Sequence, residues 1–281
     1  MQLTQTLTNR TQSKRSKDLL YYSCKLNSTS QDIIQLFLSQ ITDEDTELNQ
    51  YTVKIADIES KLEKRLNPIV LSKIEEELFK PVFEYKNGAN TDKYAWCSKI
   101  SRNDIDRTLT IEIHKELKEH LIGLKNRKVS FTVIDSNVFF KLKSAYSKRF
   151  YTIFKYWAGY AIDYKNETTG YTTFKVEELV ELLRLSKSMS EYKNLKARVL
   201  NVAVEEINKY SDLEIKMIEG KKSEKQKTKV EEVGFLINYK KEVLIEKRAA
   251  EKVKNGVTLE NFANTNLSDY NNEEIIEAEI A

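Results

Sequence analysis

Glycine, proline, cysteine and histidine are all scarce in this 281-residue chain, which has 7, 2, 2 and 2 of them respectively. So few glycines and prolines cannot punctuate a many-stranded barrel, and helices are expected to dominate with a few short strands. No G-x-x-x-x-G-K-[ST] loop is present, which leaves P-loop nucleotide binding without support. Cys24 and Cys97 stand far apart, with neither a metal-ligand spacing nor a disulfide framework around them, and read as reduced thiols. His114 and His120 are six residues apart and so fall on different faces of a helix. They do not supply the clustered metal ligands that a tyrosine nickase needs, so the 15 tyrosines have no evident catalytic partner. No enzymatic activity, metal or cofactor is expected. No apolar run approaches the roughly 18–20 residues of a membrane span, and the stretch from Met1 to Lys17 is polar. The expectation is a cytoplasmic protein with no membrane association.

What the chain does have is charge of both signs, at a net of only +3, so any nucleic-acid footprint has to come from local clustering. Its length suits two domains of ordinary size. Residues 1–29 read as a basic arm with a short helix. Helices are expected over 30–41, with Ser30 as N-cap, over 52–66, and over 69–83 after the Asn67-Pro68 break. Short β-prone runs at 94–100 and 108–113, separated by Arg102-Asn103-Asp104, read as a hairpin behind them. Helices followed by a hairpin make a winged helix, here spanning 30–136. A further strand at 130–134 precedes a long amphipathic helix over 139–160. Helices over 173–185 and 192–210 and a hairpin at 213–218 and 233–238 then repeat the order, giving a second winged helix over 137–240. Residues 241–281 form a charged tail, partly disordered and acidic at its end.

The repeat shows in residues as well as in order. Thr52-Val53-Lys54-Ile55-Ala56-Asp57-Ile58 lines up with Thr173-Phe174-Lys175-Val176-Glu177-Glu178-Leu179 as T-[VF]-K-[IV]-x-[DE]-[IL], with the threonine read as a helix N-cap.

Along 192–210 a step of about 100° per residue puts Leu195, Val199, Val202, Ala203 and Ile207 on one side with Tyr192. The opposite arc, centred near Asn201, displays Lys193, Asn194, Ala197, Arg198 and Asn208. Arginine bonds bidentately to guanine, asparagine to adenine, and an alanine methyl meets thymine, so Lys193, Asn194, Ala197, Arg198 and Asn201 are the candidate base readers. Any solvated helix face looks similar, and the flanking elements decide. The turn of the second hairpin carries Lys221, Lys222, Lys225, Lys227 and Lys229 against one glutamate, Glu224. With Lys196, these are candidate phosphate contacts. Lys148 and Arg149 are further candidate phosphate contacts; Arg149, among Lys143, Lys148 and the aromatics Tyr146, Phe150 and Tyr151, fits either a phosphate contact or an interdomain salt bridge. The first half's third helix carries Glu75-Glu76-Glu77, which would repel a phosphate backbone, so base reading is assigned mainly to the second half.

The stretch from Leu142 to Tyr151, L-x-S-x-Y-x-x-R-x-Y, read with Leu179, Tyr192, Lys196, Arg198, Val199, Leu200, Ile207 and Asn208, resembles the Rep_3 (RepB-type) family of plasmid replication initiators. The resemblance spans roughly residues 16–239. It implies tandem winged-helix domains that bind direct repeats (iterons) in a plasmid origin as a monomer, help open the duplex, and engage the host initiator and replicative helicase. It also implies a dimer, joined through the first domain, that represses its own gene. The alternative is a tandem winged-helix repressor with no origin role.

Overall fold

The computed structural model describes residues 10–21, 26–80, 83–87, 90–160, 170–219 and 230–244. It begins with a strand that no local pattern announces. β1 (Gln12–Ser16) pairs antiparallel with β7 (Phe131–Asp135), so part of the expected basic arm is a docked strand. Its cations are accordingly engaged. Lys14 pairs with Asp43 at 2.5 Å, and Arg15 is buried. α1 (Lys17–Tyr21) follows, with Leu19 and Leu20 buried.

α2 (Ser28–Leu38) starts at Asn27, whose side-chain oxygen accepts the Ser30 N–H. Ser30 is thus inside the helix, with its hydroxyl donating to Glu77 at 2.8 Å. The run expected as a helix over 52–66 is split. β2 (Gln50–Lys54) passes directly into α3 (Ile55–Leu62). Val53, Ile55 and Ile58 fit both periods, and pairing of Tyr51-Thr52-Val53 with Ile111, Thr110 and Leu109 decides for a strand. α4 (Pro68–Phe79) is capped by Asn67 with Pro68 in its first turn, and ends before Phe83, which opens a hairpin of β3 (Phe83–Asn87) and β4 (Asn90–Tyr94). β5 (Cys97–Asn103) and β6 (Thr108–Ile113) form the expected hairpin, and the sheet order is β2-β6-β5.

After α5 (Lys118–Leu121) and β7, the helix expected over 139–160 is two helices, α6 (Ser136–Lys141) and α7 (Ala145–Tyr160). Ser144 breaks it by accepting the N–H groups of Tyr146 and Ser147. β8 (Gly170–Lys175) runs straight into α8 (Val176–Leu182), and a helix over 192–210 precedes β9 (Leu213–Glu219) and β10 (Glu232–Tyr239). The second sheet is ordered β8-β10-β9, the same as the first. The two T-x-K motifs therefore occupy equivalent strand-to-helix junctions, with the threonines in strands and Lys54 and Lys175 at the N-cap positions. Tandem winged helices are the architecture.

Described residues up to Asn238 form one compact unit; the second unit includes Tyr239–Leu244, where Leu244 N–H closes a turn on Lys240. The second half's core is aromatic: Phe154 lies 5.3 Å from Phe150 and 4.9 Å from Phe235 between ring centroids.

A polar seam joins α2 to α7. Lys148 on α7 is ion-paired with Asp32 on α2, and their side chains are 0% and 1% exposed. Lys148 also donates to the Ser28 carbonyl at 3.2 Å, Lys64 donates to the other Asp32 oxygen at 3.0 Å, and Gln31 donates to the Ala145 carbonyl at 3.1 Å. Phe139 lies between two cations, Lys148 at 5.4 Å and Arg15 at 5.7 Å from its centroid. Burial pushes the Lys148 ammonium down to about 8 in spite of Asp32, and burial raises the Asp32 carboxyl as well. Desolvation thus outweighs attraction at both partners, as expected for a pair that fixes an arrangement more than it stabilises one.

Removing one partner strands a buried charge. Asp32→Ala is therefore expected to lower the unfolding free energy by about 3–5 kcal/mol in urea titrations. The double variant Asp32→Leu/Lys148→Met should unfold at the wild-type midpoint or above it. A single-variant loss below about 1 kcal/mol would contradict this account of the seam.

Candidate nucleic-acid interface

The helix over 192–210 is not uniformly α-helical. α9 (Tyr192–Leu195) leads into a π-helical turn, Lys196–Leu200, closed by the Asn201 N–H on the Lys196 carbonyl, and α10 (Asn201–Tyr210) completes it. Its buried side is Leu195, Val199, Leu200, Ala203 and Ile207. Leu200 thus takes the place a uniform 100° step gives to Val202, which is only half-buried.

The helix over 192–210 is fastened from behind. Glu206 accepts the backbone N–H groups of Lys143 (3.0 Å) and Ser144 (3.1 Å) at the start of α7. Asp212, just past the helix, pairs with Lys155 and accepts from the Tyr151 hydroxyl at 3.4 Å. Asn208, expected on the outward arc, instead faces β9: its amide donates to the Ile215 carbonyl at 3.0 Å and accepts the Ile215 N–H at 2.6 Å. These anchors lie toward the C-terminal end of the helix.

Of the sequence-derived base readers, Lys193, Ala197 and Arg198 are exposed and Asn201 is half-buried on the same helix. Asn194 is committed elsewhere, since its amide donates to the Ser188 carbonyl at 2.8 Å and holds the preceding turn. Lys196 pairs at 2.5 Å with Glu219 at the end of β9, and Glu219 also accepts from the Tyr192 hydroxyl at 3.1 Å. Its charge is balanced within the fold, which weakens its candidacy for phosphate. Lys148 cannot meet phosphate at all, because it is buried against Asp32. Arg149 is half-buried, and its charge favours ionisation of Tyr21, whose phenol burial nonetheless raises. Lys221, Lys222, Lys225, Lys227 and Lys229 lie outside the described residues.

In the first half, α4 holds the equivalent place. The three glutamates do not form a repulsive face: Glu75 accepts from Arg102 at 3.1 Å, Glu76 pairs with Lys80 at 2.6 Å, and Glu77 turns inward to the Asn27 N–H at 2.9 Å. The Lys80 ammonium correspondingly lowers the Glu76 carboxyl. Ile69, 81% exposed, with Ser72 and Lys73 occupies its open first turns. Neither histidine stands in a metal-binding group. The His114 ring accepts the Glu116 N–H, and His120 bonds to the Ser16 hydroxyl at 2.8 Å. Among the described residues no three histidine, cysteine or acidic side chains converge to hold a metal, and no helix is long and apolar enough to cross a membrane.

Sequence reasoning gave Glu206, Asn208 and Asp212 no anchoring role and passed over Glu219, because acidic and amide residues on helix and strand ends read as solvated.

The chain matches family models described as "Initiator Replication protein, WH1" over residues 12–155 and "Initiator Rep protein, WH2" over residues 175–237. Among solved structures, the crystal structure of Pi initiator protein in complex with iteron DNA is similar in fold, with a TM-score of 0.64 at 16% identity over 83% of this chain and 99% of that one. A structure of domains 2 and 3 of RctB matches more weakly, with a TM-score of 0.40 at 12% identity over 80% of this chain and 85% of that one. No curated protein gives a match.

The Asn208 clamp should be structural. Asn208→Ala leaves a backbone donor and acceptor of β9 unpaired and is expected to cost about 1–3 kcal/mol in denaturant unfolding. A variant of wild-type stability would show that water replaces the clamp without cost.

Proposed function

The chain belongs to the initiator replication protein family, and from that premise we propose that it starts plasmid replication by binding repeated sites in the origin through its second winged helix. The observation that carries this is the reading helix, bolted to α7 and β9 at its C-terminal end while Lys193, Ala197 and Arg198 stand open at its N-terminal turns. In a major groove, the Arg198 guanidinium bonds bidentately to guanine, the Asn201 amide to adenine, and the Ala197 methyl meets thymine. Lys193, counted among the base readers from sequence, is reassigned to phosphate because its ammonium is a point charge on a flexible stem; with the wing lysines Lys221, Lys222, Lys225, Lys227 and Lys229 it sets affinity rather than sequence preference.

The first winged helix, over about 30–136, contributes auxiliary DNA contact from Ile69, Ser72 and Lys73, and the surface through which two copies pair. Monomers occupy the origin repeats and dimers repress the protein's own gene. Several bound copies strain neighbouring A·T-rich duplex, the least costly place to open, and recruit the host initiator and replicative helicase. The protein acts in the cytoplasm, on plasmid DNA, and by binding alone: no bond of the DNA is cut by this chain. Similarity to a fold solved on iteron DNA supports this reading.

The test is a gel-shift titration on the DNA flanking the gene at several salt concentrations. Arg198→Ala should lose about 1–3 kcal/mol of site preference while binding mixed-sequence DNA as before. Lys193→Ala should weaken all sequences alike and reduce the slope of log K against log salt by about 0.9. Equal site preference in wild type and Arg198→Ala would refute the assignment.

A further inference from the structure

We infer that the π-helical turn Lys196–Leu200 sets the register of the reading helix, so that the extra residue it absorbs determines which DNA sequence the protein prefers. The inference rests on the second winged helix being the base reader. Its evidence is the hydrogen bond that closes the turn. The Asn201 N–H bonds back five residues to Lys196 instead of four, so the turn takes up one residue more than an α-helical turn does. Counted from Leu195, the buried positions of this helix are Val199, Leu200, Ala203 and Ile207, at offsets of 4, 5, 8 and 12. Removing one residue of the turn would leave offsets of 3, 4, 7 and 11, which an amphipathic α-helix also buries on one side.

The consequence for reading is rotational. The core anchors both ends of the helix, with Leu195 buried on one side of the π-turn and Ala203 and Ile207 on the other. The widened turn must therefore bulge on the solvent side. That side holds Ala197 and Arg198, both exposed and adjacent, between Lys193 one turn before and Asn201 one turn after. In an unbroken α-helix anchored on the same core, one residue fewer would separate these groups. Consecutive residues would then sit about 100° apart, and Arg198 would shift relative to Asn201. π-turns are rare and cost backbone hydrogen-bond geometry, so a purely structural helix gains nothing from one. Here its position coincides with the exposed reading turn. Nothing in the core requires it, since the buried residues form a regular α-helical stripe once one exposed residue is removed.

Deletion of Ala197 tests this, because it removes an exposed residue of the π-turn and leaves the buried ones at offsets of 3, 4, 7 and 11, a spacing an α-helix buries on one side. The expected protein is folded, with an unfolding midpoint no lower than wild type, and keeps the wild-type salt-dependent affinity for mixed-sequence DNA. Its ratio of specific to non-specific affinity on the wild-type site should fall at least about tenfold, and selection from random DNA should return a different site. Ala197→Ser, which alters the side chain without altering the register, should change preference at one base pair at most. A deletion variant with a lowered midpoint would overturn the inference, because the core would then need the extra residue. So would a deletion variant that keeps the wild-type site. Arg198→Ala run in parallel separates the two levels. If it loses site preference while the deletion does not, only the register inference fails; if it keeps the wild-type preference, the reading role of this helix fails and the inference falls with it.

Discussion

One buried ion pair, Asp32 with Lys148, ties α2 to α7 across more than a hundred positions of chain, within the span of the WH1 match. The seam is polar but enclosed, with Ser28, Lys64, Gln31 and the ring of Phe139 completing it. A seam of hydrophobic residues would tolerate sliding. A lysine that must reach one carboxylate and one carbonyl in the dry interior tolerates one arrangement, at a cost in desolvation that pushes the Lys148 ammonium down and the Asp32 carboxyl up. The pair fixes α7 against α2, and α7 is the platform on which Glu206 and Asp212 hold the helix over 192–210.

The two halves share strand order and a strand-to-helix junction, yet they present different faces. In the second, exposed cations and small residues occupy the open end of the reading helix. In the first, the glutamates of α4 are consumed by Arg102, Lys80 and the start of α2, and an isoleucine stands at the open end. One architecture thus carries two surfaces, and the difference lies in which side chains the fold leaves uncommitted.

The hairpins were legible because Thr108 to Ile113 alternates strictly and turn residues precede it. The strands β2 and β8 were not, because each enters its helix without a breaker and Thr-Val-Lys-Ile or Thr-Phe-Lys-Val satisfies both periods over so short a span. β1 was illegible for another reason: its partner Phe131–Asp135 lies at the far end of the first half, and only tertiary pairing makes a strand of Gln12–Ser16. At the site, the outward arc was readable for Lys193, Ala197 and Arg198, since exposure follows from helical spacing. Asn194 and Asn208 were misplaced on it because an amide's backbone partners are invisible in sequence. Lys148 looked like a surface cation beside Arg149. Its burial follows from Asp32, more than a hundred positions away, and no local pattern encodes that.

The most direct test of this account is a hydroxyl-radical footprint of the full chain on the DNA flanking its gene. A tandem reader that contacts DNA through both winged helices held in one orientation protects each repeat as two windows on one face of the duplex, about 10–10.5 base pairs apart, with constant spacing in every repeat. A single window per site, or two windows whose spacing varies between sites, would contradict it.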